Sequence, residues 1–412
     1  MLPVPPTPSL RSSFAWTFAG NGVYAAGQWA ILSLFAKLGS GEMLGEYALA
    51  IAITAPVVML SHLNLRSVLA TDIAGKHPFG DYLAVRLGAT ACGLAAIGIL
   101  GFATGGSASM AIVILAAGIA QSAENISDIY YGAMQRRERM DRIARSMMAR
   151  AAVSAVALGA VLAATRNIVP SMIALAGARV AVLLIYDRRA GSAGEQLARS
   201  GLRAQLAILR TALPLGIVLM LISLSTNLPR YAIERRMGAR ALGAFAAAAS
   251  FMTSGNTVIN ALGQSATPRL ARYFAERSRA RFLRLALQLM AIALALGASG
   301  VAAAALMGAT ILRILYRSEY APYAPLLTEV MAAAVPAYVA GILGYVITSV
   351  RAFDAQLPLF CMVTASCGIA AWLLIPRFGL AGAPMALAAA ACVQIAGEVA
   401  ILTRAFHRPK AA

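Results

Sequence analysis

The sequence predicts an all-α membrane protein that has almost no soluble domain. Apolar stretches long enough to cross a bilayer follow one another from Phe14 to Arg404. Hydrophobic residues make up 60% of the chain and charged residues only 12%, whereas a soluble domain is about one quarter charged. The formal net charge of +19 comes mainly from arginines in the connections between these stretches. Together these observations predict about twelve transmembrane helices joined by short loops.

A helix needs about 20 mostly apolar residues to cross the ~30 Å hydrocarbon core of a bilayer. On that criterion the predicted spans are 14–36, 46–70, 82–102, 109–133, 147–164, 168–187, 209–230, 241–264, 284–308, 323–349, 356–375 and 380–404. The polar connections between them are too short to form a separate domain.

The basic residues predict the orientation of the chain in the membrane. Cytoplasmic loops carry the excess of Lys and Arg. If the N-terminus is cytoplasmic, more than half of the 35 basic residues fall in cytoplasmic loops, and the basic stretch 230–240 is the main exception. We therefore expect both termini in the cytoplasm, and we attribute the charge to topology rather than to nucleic-acid binding. The chain has no P-loop, and its histidines and cysteines are scattered, so no cofactor or metal is expected.

A weak internal repeat divides the chain into halves. The segment LGSGEMLGEYALAIAI follows span 1, and MGARALGAFAAAASF follows span 7, with Gly45 aligned to Gly243. Six spans in each half give both halves the same orientation, and such halves are related by an axis along the membrane normal. The prediction is two pseudo-symmetric six-helix bundles, residues 1–200 and 201–412, with a central cleft.

Polar residues recur at helical spacing inside several spans. Such groups are costly in a membrane and tend to face the interior of the bundle. Spans 1, 2, 7 and 8, which are equivalent in the two halves, all carry polar stripes. The predicted cavity residues are Asn21, Gln28, His62, Arg66, Asn227, Arg230, Asn256, Asn260 and Gln264. For any one of them, interhelical hydrogen bonding is the ordinary alternative. Gln394 and Glu398 form a further polar pair in span 12, whose role the sequence does not settle.

Depth in the membrane predicts a buried ion pair. Glu124 and Arg179 each lie about nine residues from the cytoplasmic ends of their spans, so a rise of ~1.5 Å per residue places them level. Asp128 lies at about the depth of Arg150. We expect the two arginines to neutralise the two carboxylates, either as a structural element or in coupling to an ion.

Three segments carry a resemblance to a known family. They are LGSGEMLGEYALAIAI after span 1, ILYRSEYAPYAPLL between spans 9 and 10, and LLIPRFGLAGAPMALAAAA across spans 11 and 12. With these segments and twelve spans, essentially the whole chain resembles the multidrug/oligosaccharidyl-lipid/polysaccharide exporter superfamily. Its length and Arg-rich loops are most similar to the bacterial O-antigen and exopolysaccharide flippases. The lipid II flippases usually have two further helices.

The resemblance implies a non-enzymatic protein of the bacterial inner membrane. It would move an undecaprenyl-pyrophosphate-linked oligosaccharide to the outer leaflet for surface polysaccharide, such as the O-antigen of lipopolysaccharide. A coupling ion, proton or sodium, and a polysaccharide polymerase are further expected partners. No arginine motif of the family transfers, so Arg66 and Arg230 are independent candidates for phosphate, which the guanidinium fork suits. Asn and Gln suit sugar hydroxyls.

Other functions remain open at this point. A drug or organic-cation antiporter of the same superfamily would need acidic residues in the cavity, and Glu124 and Asp128 are the only acidic pair at useful depth. A major-facilitator sugar transporter would need its loop motif after span 2. The corresponding VLATDIAGKH has Val68 where that motif has Gly and Ile73 where it has Arg. An envelope polymerase or ligase would need a large outer loop, which the predicted spans do not leave.

Overall fold

A computed structural model describes residues 10–71, 76–104, 107–193, 195, 197–350 and 352–407. Within these ranges the chain is helical and contains no strand. The first helices are α1 Leu10–Leu38, α2 Gly41–His62, α3 Leu65–Thr71, α4 Phe79–Ala103, α5 Ala108–Arg136, α6 Met140–Thr165 and α7 Ile168–Val182. A π-helical turn, Leu183–Asp187, continues α7 into the short α8, Arg188–Ser192. Asp72 and Gly75 of the transporter-like loop motif lie outside the described residues.

The second part of the chain consists of five long helices. They are α9 Leu202–Ala275, α10 Arg279–Leu315, α11 Ala324–Ser349, α12 Gln356–Phe378 and α13 Gly382–His407. Gly238 interrupts α9 with a positive φ of 80°, a backbone conformation that glycine adopts without steric cost. The interruption falls between the predicted spans 209–230 and 241–264.

Nine helical segments of the described residues have the length and hydropathy to cross a membrane. One of them is α9, which holds two predicted spans, and another runs from Gln356 to Phe406 and also holds two. Helix α1 is not among the nine, because polar residues such as Asn21 and Gln28 lower its hydropathy. The chain is thus an all-helical, multi-pass membrane protein.

The predicted span 46–70 lies within one membrane-length segment, Gly41–Leu69, but its helix is interrupted. Helix α2 ends at His62, and α3 begins at Leu65. Between them Leu63 and Asn64 have left-handed φ values of 51° and 49°. The apolar run hides this break because hydropathy is insensitive to backbone conformation. Leu63 is nevertheless buried, so tertiary packing offsets the cost of its left-handed conformation.

The chain forms two compact units, Met1–Met220 and Leu221–Ala412. In the first unit α5 is central, since it packs against α2, α3, α4, α6 and α7. A buried cluster that includes Leu69, Phe79, Tyr130 and Met134 forms part of its core. In the second unit α11 packs against α10 and α13, and α13 also packs against α12. The predicted division at residue 200 stays a prediction.

Candidate functional site

The polar face of α5 lines a cavity inside the first unit. Gln121, Glu124, Asn125 and Asp128 are spaced at i, i+3, i+4 and i+7, which places them on one side of a helix. The cavity has a volume of about 300 Å³. Its walls are Thr17, Asn21, Tyr24, Val58, Met59, His62, Arg66, Gln121, Glu124, Asn125, Asp128, Tyr131, Met140, Ile143, Ala144, Met147 and Arg150. Because α5 is the central helix, its polar stripe faces several neighbours at once.

Asp128 is the centre of the first charged cluster. His62 Nε2 lies 3.1 Å from Asp128 Oδ2, and Arg66 Nη1 lies 3.1 Å from Oδ1. Arg86 Nη2 is 3.7 Å from Oδ2. The left-handed break between α2 and α3 lies between His62 and Arg66, and both side chains reach the same carboxylate. Asp128 therefore has two arginines and one histidine around it.

Arg86 supports this cluster from inside the protein. Its side chain is fully buried, and its guanidinium donates a hydrogen bond to Asn125 Oδ1. Asn125 Nδ2 in turn donates to Ser61 Oγ at 3.0 Å, which connects α5 to α2. A buried charge of this kind is retained only with partners. Sequence reasoning passed over Arg86, although a lone arginine in an apolar span is itself the signal of a functional or paired group.

Glu124 is the centre of the second cluster. Arg179 Nη1 lies 3.0 Å from Glu124 Oε2, and Arg150 Nη1 lies 3.7 Å from Oε1. Tyr24 Oη donates a hydrogen bond to the same Oε1. Arg179 Nη2 also donates to Gln28 Oε1, at 3.4 Å. The Glu124–Arg179 pair expected from helix depth is thus present in the structure, whereas its role stays a prediction.

Asp187 is the third carboxylate that pairs with these arginines, and the sequence did not single it out. It is fully buried in the π-helical turn that follows α7. Arg150 Nη2 donates to its Oδ2 at 2.8 Å, and Ser127 Oγ donates to the same oxygen at 2.6 Å. Ser146 Oγ donates to Oδ1. Of the two arginines expected to neutralise Glu124 and Asp128, Arg150 thus pairs with Asp187 and lies near Glu124, and it is Arg66 and Arg86 that lie beside Asp128. Depth alone did not reveal this, because it leaves helix rotation undetermined.

Tyr131 lies beside two of these arginines. The guanidinium carbon of Arg66 is 5.8 Å from the centre of its ring, and that of Arg150 is 5.6 Å away. Both distances fall within the range of cation–π attraction. Arg66 Nε also donates to Gln135 Oε1 at 2.9 Å. The Asp128 and Glu124 clusters are thus connected through an aromatic wall of the same cavity.

The other predicted cavity residues fall into two groups. Asn21 lines the cavity and donates to Thr17 O at 2.8 Å, and Gln28 reaches Arg179 from α1. The remaining five are positions of α9 in the second unit and do not line this cavity. They are Asn227, Arg230, Asn256, Asn260 and Gln264. Their part in substrate binding stays a prediction.

Membrane-length helices and a cavity lined by charged side chains in the first unit define a multi-pass membrane protein of the transporter-like, all-helical class. Residues 45–274 match the family described as polysaccharide biosynthesis protein. That match covers more than half of the chain, which belongs to this family. The resemblance found in the sequence is thus confirmed.

Two further comparisons agree with the family. The capsular polysaccharide biosynthesis protein CapF of Staphylococcus aureus is 24% identical over 379 residues, covering 91% of this chain and 94% of the relative. The fold is similar to that of an inward-facing multidrug resistance MATE family transporter of the MOP superfamily. The TM-score is 0.77 at 14% identity, over 94% of this chain and 98% of the other.

The lipid II flippase MurJ in an inward closed conformation has a similar fold too. Its TM-score is 0.75 at 12% identity, over 95% of this chain and 89% of the other. At these identities the two solved structures establish the fold and leave the substrate open.

Proposed function

We propose that the chain is a flippase that moves an undecaprenyl-pyrophosphate-linked oligosaccharide across the bacterial inner membrane for surface polysaccharide biosynthesis. Membership of the polysaccharide biosynthesis family supports a role in surface polysaccharide biosynthesis. The fold it shares with a lipid II flippase supports the transport of a lipid-linked sugar. The cavity in the first unit supplies groups of the right chemistry for the polar headgroup.

The observation that carries the proposal is the charge balance of this cavity. Each of its carboxylates has an arginine partner: Glu124 has Arg179, and Asp128 has Arg66. With Arg150 on the walls, and the buried Arg86 and Asp187 behind them, four arginines oppose three carboxylates, where His62 is counted as neutral. One positive charge is in excess. Such a site favours an anion, and it offers an organic cation no carboxylate that is free of arginine.

The size of the cavity limits what it would hold. About 300 Å³ is at the lower end of the range for small-molecule sites. It would accept a pyrophosphate or part of a sugar, while the lipid chain stays in the bilayer. Arg66 is the arginine we assign to phosphate, since its side chain is about one third exposed. Asn21 and Gln121 on the same walls are suited to sugar hydroxyls.

The expectations for the membrane topology, the second unit and the partners are part of this proposal. We propose twelve spans in two pseudo-symmetric six-helix bundles, residues 1–200 and 201–412, with a central cleft and both termini cytoplasmic. The polar stripe Asn227, Arg230, Asn256, Asn260 and Gln264 would serve the same substrate from α9. Movement of the lipid would be coupled to a proton or sodium ion, and a polysaccharide polymerase would receive the product. The protein itself would catalyse no covalent change.

A multidrug or organic-cation antiporter is the second candidate. The similarity to a MATE transporter is the observation in its favour. A major-facilitator-type sugar transporter, the other alternative, has no such observation.

One experiment separates the two leading candidates. Deletion of the gene is expected to abolish surface polysaccharide and to leave lipid-linked oligosaccharide in the cytoplasmic leaflet, with both effects reversed by the wild-type chain. Efflux of a cationic dye from proteoliposomes that contain the purified protein, together with normal polysaccharide in the deletion strain, would favour the antiporter.

A further inference from the structure

Glu398 of α13 is buried in the second unit without a cationic partner. The residue is only 1% exposed. Gln394 Nε2, one turn earlier on the same helix, donates to Glu398 Oε1 at 2.9 Å. The other carboxyl oxygen, Oε2, is buried and has no hydrogen-bond partner in the described structure. One amide thus satisfies one of the two oxygens.

The side chains packed around Glu398 supply no positive charge. Helices α11 and α12 cover α13. Their ionisable residues, over the described ranges, are Glu329, Tyr338, Tyr345, Cys361, Cys367 and Arg377. In the described structure Glu398 forms an ion pair with none of these, nor with Arg404 of its own helix, and its only hydrogen bond is the one from Gln394. Both tyrosines form hydrogen bonds elsewhere: Tyr338 donates to Met252 O, and Tyr345 donates to Asn260 Oδ1.

Glu398 differs from the carboxylates of the first unit in its partners. There Glu124, Asp128 and Asp187 each contact at least one arginine, and both oxygens of the fully buried Asp81 accept a hydrogen bond from Ser200 N. An arginine next to a carboxylate offsets the cost of keeping its charged form inside the protein. Glu398 lacks such a partner, and an unpaired ionised carboxylate is costly to bury. Its neutral, protonated form is therefore the one that this environment favours.

We infer that Glu398 is a proton-binding site that couples proton movement to transport, an inference that rests on the proposed flippase function. The proton binds Oε2, the unpartnered oxygen, while Oε1 keeps the hydrogen bond from Gln394. Water on one side of the membrane supplies the proton, and water on the other side receives it when a change of conformation hydrates the carboxylate. Gly344 of α11 packs closely against the carboxylate, since a Cβ at that position would be in van der Waals contact with Oε1, at 3.4 Å.

Infrared difference spectroscopy of the purified full-length protein tests the protonation directly. At neutral pH the wild type is expected to show the C=O band of a protonated carboxyl, which disappears when the pH is made strongly alkaline. Glu398→Gln should lack this band. Glu329→Gln, which changes an exposed glutamate on α11, is the matched control and should retain it. Identical spectra for wild type and Glu398→Gln at every pH would overturn the inference.

The export of surface polysaccharide tests the coupling. Glutamine has the size and neutrality of the protonated acid but cannot release a proton. Glu398→Gln is thus expected to fold normally and to lose export, while Glu398→Asp keeps part of it and Glu329→Gln keeps all. Full export by Glu398→Gln would show a purely structural acid and would overturn the coupling. If Glu398→Gln fails to fold, Glu398→Asp provides the test. Absence of the protonated-carboxyl band from Glu398→Asp, or wild-type export by this variant at all pH values, would contradict the inference.

Two controls separate this inference from neighbouring possibilities. Sodium chloride added at constant pH should leave the carboxyl band unchanged, with choline chloride as the ionic-strength control. Loss of the band on sodium addition would indicate that the site binds sodium in place of a proton, and it would overturn the assignment. If the gene deletion leaves polysaccharide intact while the band behaves as expected, the proposed function fails and the proton site stands.

Discussion

Arg179 and Glu124 form an ion pair between α7 and α5, with Nη1 3.0 Å from Oε2. The arginine is almost completely buried, and the glutamate also accepts a hydrogen bond from Tyr24. The pair joins α7 to α5, and its glutamate lines the cavity. Removal of one partner leaves the other charged and buried, which is worse than having neither.

The first prediction tests this pair. Arg179→Ala and Glu124→Ala should each destabilise the protein by about 3–5 kcal/mol and reduce its yield. The charge-swapped double variant Glu124→Arg with Arg179→Glu should recover part of the loss. Thermal unfolding in detergent measures all three. If the effects of the single and double variants simply add, the two side chains do not depend on each other.

The second prediction concerns Asp187, which binds Arg150, Ser127 and Ser146. Asp187→Asn keeps the size of the side chain but removes the charge opposite Arg150. We expect a loss of about 3–5 kcal/mol, because Arg150 is left with only Glu124, at 3.7 Å. Asp354→Asn, at an exposed position, is the control and should unfold at the wild-type temperature. Equal unfolding temperatures for the two variants would contradict the buried role of Asp187.

Parts of this site could be predicted from the sequence for clear physical reasons. The spacing of Glu124 and Asp128 placed both carboxylates on one face of α5, and depth placed Arg179 level with Glu124. Both inferences need only the rise and pitch of a helix. Asp187 was missed because it lies at the end of its span, where a carboxylate is unremarkable.

The cluster around Asp128 required tertiary information. Its contacts with Arg66 and Arg86 depend on how α3 and α4 are rotated against α5, which periodicity does not determine. The break at Leu63 and Asn64 was equally invisible, since leucine in an apolar run indicates helix and a left-handed leucine is rare. Hydropathy located the helices, whereas side-chain partners followed from their packing.

The third prediction concerns topology. Arginines cluster in the loop that follows α5 and again in the stretch 188–203, and membrane proteins retain such clusters in the cytoplasm. Reporter fusions placed after Arg145 and after Arg199 should both give a cytoplasmic signal. A fusion after Arg166, which caps the other end of α6, should give a periplasmic one. A periplasmic signal after Arg145 or Arg199 would reverse the orientation.

The last prediction concerns substrate handling by Arg66. Its guanidinium borders the cavity, bonds Asp128 and Gln135, and lies over the ring of Tyr131. Arg66→Ala should abolish export of surface polysaccharide at a normal protein level, since Arg86 still lies beside Asp128 as a cationic partner.

Arg66→Lys distinguishes phosphate binding from anchoring of the helix end. A lysine supplies a point charge in place of the planar fork, so only part of the export should return if Arg66 binds phosphate. If Arg66 only anchors the end of α3 at the membrane surface, lysine should restore export completely. Arg203→Ala, which removes an exposed arginine near the start of α9, is the control and should export normally. Normal polysaccharide in Arg66→Ala would exclude this residue from the substrate site and leave the family assignment intact.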